Sequence, residues 1–65
     1  RVEFYEDIDG ELKIISSFAK QARGTLARWC IQEQIKQPQD IQVFTGMHYR
    51  FRPELSNASL TVFSR

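Results

Sequence analysis

The sequence has almost none of the residues that staple a small domain together. It holds one cysteine, Cys30, and one histidine, His48, in 65 residues. A disulfide within the chain is thereby excluded, and so is a structural zinc site built from these residues. No apolar run exceeds three residues, which leaves no membrane-spanning helix and no signal-peptide core. A single thiol without an export signal suits a reducing cytoplasm. Glycine and proline are also scarce, at three and two residues, so breaks in regular structure are few and readable. A chain this short buries only about 60% of the surface that its unfolded form exposes, so one small domain is the most it can build. Its hydrophobic content of 42% and its eight aromatic residues are nevertheless too rich for a disordered tail. The chain starts at Arg1 rather than at Met and runs straight into a strand-like pattern, which reads as the start of a piece of something longer.

The net charge of +1 conceals a segregated distribution. Residues 1–12 set Arg1 against Glu3, Glu6, Asp7, Asp9 and Glu11, a net of −4. Residues 13–36 carry Lys13, Lys20, Arg23, Arg28 and Lys36 against Glu33 alone, a net of +4. Charge blocks of this kind create local fields, and the basic middle is where an anionic partner would bind.

Hydropathy period and turn residues predict the element order β-β-α-β-β. Val2–Tyr5 is strand-prone, Asp9-Gly10 is a hairpin turn, and Leu12–Ile15 resumes the strand. Ser16 or Ser17 can cap a helix predicted from Phe18 to about Lys36, ended by Gln37-Pro38. Pro38–Val43 reads as a turn of helix or a loop. A second strand pair follows, His48–Arg52 and Leu60–Phe63, turning around Ser56-Asn57. The fold class is α+β: a mostly antiparallel four-stranded arrangement with one long helix on a face.

The helix has two faces. Phe18, Ala22, Leu26 and Trp29 share one stripe, with Ala19 and Cys30 beside it, and form the expected core side. Ser16, Lys20, Gly24 and Arg28 lie opposite, with Arg23 at the flank. Ile31 and Ile35 fall on that second face and are expected to pack against parts of a larger protein. The strand-to-helix corner is the best candidate for binding chemistry. A helix N-terminus presents unpaired N–H groups and a partial positive charge, to which Ser16 and Ser17 add hydroxyls, Lys20 a point charge and Arg23 a planar fork. Gly24 costs the helix about 1 kcal/mol relative to alanine and would let a ligand approach. No dinucleotide or P-loop pattern is present, so no nucleotide cofactor is implied. The acidic residues Glu6, Asp7, Asp9 and Glu11 lack calcium-loop spacing and read as a solvated turn. His48 and Cys30 have no third partner for catalysis. His48, Arg50 and Arg52 share one strand face, while Tyr49 and Phe51 are expected to enter the core.

Lys13-Ile14-Ile15-Ser16, Ala19-Lys20, Ala22-Arg23-Gly24 and Arg28 resemble the C-terminal signature Lys-Ile-Ile-Ser-x-x-Ala-Lys-x-Ala-Arg-Gly of the bacterial peroxide stress protein YaaA family. Phe4 and Gly10 precede the signature at fitting distances. Pro38, Phe44, Tyr49, Phe51, Val62, Phe63 and Arg65 follow in register. The resemblance covers nearly the whole chain and only the last quarter or so of a family protein. His48 departs from it, standing where a family member has glycine, and the turn Ser56–Ser59 lacks a glycine.

The resemblance implies a cytosolic peroxide-stress protein that limits iron-dependent damage and binds DNA through a positively charged cleft. It makes Lys20, Arg23 and Arg28 candidate phosphate contacts. The helix-hairpin-helix element credited to the family has no counterpart in these residues, and iron ligation does not transfer. Two other classes remain open: an enzyme's anion-binding corner whose catalytic groups lie elsewhere, and a protein-interaction module using Ile31 and Ile35.

Overall fold

The computed structural model describes all residues, 1–65. Strands β1 (Val2–Ile8) and β2 (Glu11–Lys13) form an antiparallel hairpin. Asp9 and Gly10 both take positive φ, 53° and 85°, which is the two-residue turn that an Asp-Gly pair favours. Helix α1 spans Ser16–Gln32. Irregular chain with short 3-10 turns at Pro38–Val43, Gly46–His48 and Pro53–Leu55 surrounds β3 (Arg50–Phe51), and β4 (Thr61–Ser64) closes the fold. The sheet order is β2-β1-β4-β3. β3 pairs antiparallel with β4, whereas the central pair, β1 with β4, is parallel. The α+β class therefore holds, with a mixed sheet built around one parallel pairing.

The core lies between α1 and one sheet face. Ala19 and Ala22 are fully buried, and their small side chains let the helix backbone approach the strands. An aromatic cluster fills the space. Phe4 stacks on its cross-strand partner Phe63 at 5.2 Å between centroids. Tyr49 meets Phe4 edge-on at 4.9 Å, and Phe44 meets Phe63 edge-on at 5.8 Å. Such edge and offset contacts add to the area that the rings bury. Tyr49 and Phe51 do enter or border this core.

Several expectations are corrected. The helix begins earlier, with Ile15 as its N-cap residue, and neither serine caps it. Ser16 and Ser17 are instead its first two residues, because Ile15 remains extended and its carbonyl already accepts from Ala19 N–H at 2.9 Å. It also ends earlier, at Gln32 rather than Lys36. Gln34 turns left-handed at φ 54°, its N–H reaches Ile31 O, and Ile35 N–H reaches Cys30 O at 2.9 Å. That pair of bonds is a Schellman stop, usually made with glycine and here made with glutamine. Ile35 consequently folds back and is half-buried, while Ile31 is 78% exposed. Phe18 is 39% exposed rather than a core residue, and its ring meets the Arg65 guanidinium rather than the aromatic cluster. His48 lies in a turn rather than on a strand.

Candidate functional site

On the face of α1 turned away from its buried alanines, an open groove of about 840 Å³ is lined by Ser17, Phe18, Lys20, Gln21, Gly24, Thr25, Arg28 and Met47. A second hollow of about 360 Å³, floored by Trp29 and Phe44, shares Thr25 and Arg28 with it. The two form one trough between the helix and the turn Gly46–His48. No acidic residue lines either part. Lys20 and Arg28 sit two turns apart on the helix wall, and neither joins a salt bridge. Arg28 reaches only Thr25 Oγ1, at 3.4 Å. Gly24 lies between them. A Cβ built there would meet nothing closer than Arg28 Nη1 at 3.8 Å, so nothing else in the chain requires glycine at that position.

Of the residues expected to act together, the fold brings Lys20, Gly24 and Arg28 to this trough. Ser16 is exposed at the first helical position but does not line it. Arg23 lies outside it as well. The charge of Arg23 acts instead on Glu3 of β1. Tyr5 hydroxyl holds the Glu3 carboxyl below the usual range, against the cost of burial, with Arg1 and more weakly Arg23 assisting.

The trough's far wall is fixed by a second cluster that the sequence reading did not find. Glu6 accepts the Tyr49 hydroxyl and, at 2.8 Å, Arg65 Nε. Arg65 Nη1 donates to Met47 O at 2.7 Å, and its guanidinium lies over the rings of Phe18, at 5.1 Å, and Tyr49, at 4.5 Å. Burial pushes the Glu6 carboxyl up, but Tyr49 and Arg65 together outweigh it and leave the group below its usual range. Burial, then the neighbouring Glu6, pushes the Tyr49 phenol up to about 12. Glu6 is therefore no part of a solvated turn; its side chain is 12% exposed. The available signal was parity. Glu6 shares its strand face with Phe4, and a carboxylate on a core face requires a partner.

No group of three His, Cys, Asp or Glu side chains lies close enough to hold a metal. No helix is long and apolar enough to cross a membrane.

Residues 1–55 match the family model described as peroxide stress protein YaaA. The chain is 45% identical over 62 residues to a UPF0246 protein of Phenylobacterium zucineum, an alignment covering 95% of this chain and 23% of the relative. Similar proteins occur in Cellvibrio japonicus, at 40% identity, and Tolumonas auensis, at 42%, each covering 95% of this chain and 24% of the relative. The chain thus spans about a quarter of the length of these relatives.

Proposed function

The chain belongs to the peroxide stress protein YaaA family, and on that premise we propose that it serves a cytoplasmic response to peroxide by binding DNA phosphates along the α1 trough. In a family-length protein this part would supply the basic wall of a larger surface, and the whole would limit iron-dependent damage. The observation that carries the reading is the unpaired couple Lys20 and Arg28 flanking Gly24. Two cations without carboxylate partners, on a wall cleared by a glycine the helix itself disfavours, suit an anionic backbone that approaches closely. Ser16 and Arg23, which lie outside the trough, would add contacts only where the bound backbone extends beyond it. Contacts of this kind position a duplex without reading its bases, so binding is expected to be independent of sequence.

A salt titration of duplex binding by fluorescence anisotropy tests the reading. Each phosphate contact removed lowers the slope of log affinity against log salt by about 0.9. Lys20→Gln with Arg28→Gln should flatten it by about 1.8, and adding Arg23→Gln by at most about 2.7 in all. An unchanged slope in a variant still folded by circular dichroism would remove α1 from the DNA-binding surface.

A further inference from the structure

Met47 is the only methionine in the chain, and the phosphate reading gives it no part although it lines the trough. Its place is fixed from three sides. The turn holds it at φ 58°, Arg65 Nη1 donates to its carbonyl at 2.7 Å, and Thr25 Oγ1 lies 3.5 Å from its Sδ. The side chain is half-buried beside Lys20, Gly24 and Arg28. A thioether sulfur is a weak acceptor, and the one donor that reaches it is the Thr25 hydroxyl. The Thr25 hydroxyl divides its one proton between the sulfur and Gln21 O, the latter at 3.0 Å, and Arg28 Nη2 stands 3.4 Å from that hydroxyl. Arg28 lines the same groove, joins no salt bridge and makes no other side-chain hydrogen bond, so its remaining N–H groups can serve a stronger acceptor than sulfur.

We propose that Met47 is a peroxide-oxidation site whose sulfoxide oxygen is received by Thr25 and Arg28. A sulfur lone pair attacks one oxygen of hydrogen peroxide, the S–O bond forms as the O–O bond breaks, and the second oxygen leaves as water once it has taken up the proton. Sulfur is oxidised by two electrons and the peroxide is reduced by two. The product exchanges an apolar side chain for a polar one, and methionine sulfoxide reductases reverse the step. In this trough the new oxygen turns the Thr25 hydroxyl away from Gln21 and draws the Arg28 guanidinium inward. Where the DNA reading holds, on which this last consequence alone rests, oxidation weakens phosphate binding.

Peptide mass mapping of the folded protein after hydrogen peroxide treatment tests the site. The expected result is one oxygen gained on Met47 ahead of Cys30 and Trp29, removed again by methionine sulfoxide reductase. Thr25→Val should lower the melting temperature of the oxidised protein more than that of the reduced one. Duplex affinity should fall several-fold on oxidation, and the same treatment should leave the affinity of Met47→Leu unchanged. Oxidation confined to Cys30 or Trp29, or reaching Met47 only in unfolded chains, overturns the proposal. An equal effect of Thr25→Val on both forms overturns the hold on the sulfoxide. Equal affinity of oxidised and reduced protein overturns the coupling to the trough, whereas a reduced protein that binds no duplex overturns the DNA reading and leaves the oxidation site standing.

Discussion

The Phe44 ring occupies the space that a side chain on Gly46 would need. A Cβ on Gly46 would lie 2.4 Å from Phe44 Cζ and 2.6 Å from Cε1, with Thr25 Cγ2 at 3.2 Å behind them. Phe44 is 2% exposed and meets Phe63, Phe4 and Trp29 edge-on, so the ring cannot withdraw without disturbing the core. The turn that forms the trough's second wall is thereby held against the aromatic cluster. Gly46→Ala should destabilise the fold by about 1–3 kcal/mol, the usual cost of overpacking, read as a lower urea midpoint. A midpoint unchanged from the parent would mean that the turn is not seated on the ring.

Gly24→Ala should act in the opposite sense. The position has room for a methyl group, and alanine favours the helix by about 1 kcal/mol over glycine. The variant should therefore melt higher and bind duplex DNA more weakly. A rise in stability with undiminished binding would show that the missing side chain serves no ligand.

The cluster of Glu6, Tyr49 and Arg65 predicts a dependence on pH. The folded Glu6 carboxyl is held below its usual value, so its contribution is fully present above the unfolded value of about 4.3 and is lost as pH falls through the lower, folded one. Tyr49 is raised to about 12, so its contribution is present below the unfolded value of about 10 and is lost as pH climbs toward 12. Glu6→Gln should cost about 1–3 kcal/mol at neutral pH by leaving Arg65 without its anion. It should also flatten the acid limb of stability against pH, as followed by thermal melts. An acid limb as steep as the parent's would place the titrating group elsewhere.

His48 sits at φ 69°, directly after Met47 at φ 58°. Side chains adopt this left-handed region at a cost, which glycine escapes. His48→Gly should be neutral or stabilising by up to about 1 kcal/mol, and His48→Val should be destabilising, since a β-branched residue tolerates the region worst. Equal effects of the two variants in urea unfolding would show that the turn does not hold this conformation in solution.

The two isoleucines at the end of α1 should separate. Ile31→Gln changes a side chain already 78% exposed and should stay within about 0.5 kcal/mol of the parent. Ile35→Gln removes a half-buried side chain at the Schellman stop and should cost clearly more in the same measurement. Equal losses would mean that Ile31 too is covered in solution.

Local chemistry determined much of this protein. The Asp9-Gly10 turn, the hairpin, the existence of α1 and its buried alanines follow from short-range preferences and the 3.6-residue period. The basic face was legible for the same reason, because helical spacing alone places Lys20, Gly24 and Arg28 on one wall. Tertiary structure decided what depends on distant segments. The parallel pairing of β1 with β4 brings Phe4 beside Phe63, and no local pattern records a partner so far along the chain. The same pairing delivers Arg65 to Glu6, turning an apparent turn carboxylate into a partly buried ion pair. The helix stop at Gln34 came from outside its own propensities, since a left-handed glutamine is tolerated where the chain must fold back over Cys30. The trough needed both levels. The helix supplied its cations by periodicity, and the aromatic core supplied its opposite wall by seating Gly46 and Met47 against the helix.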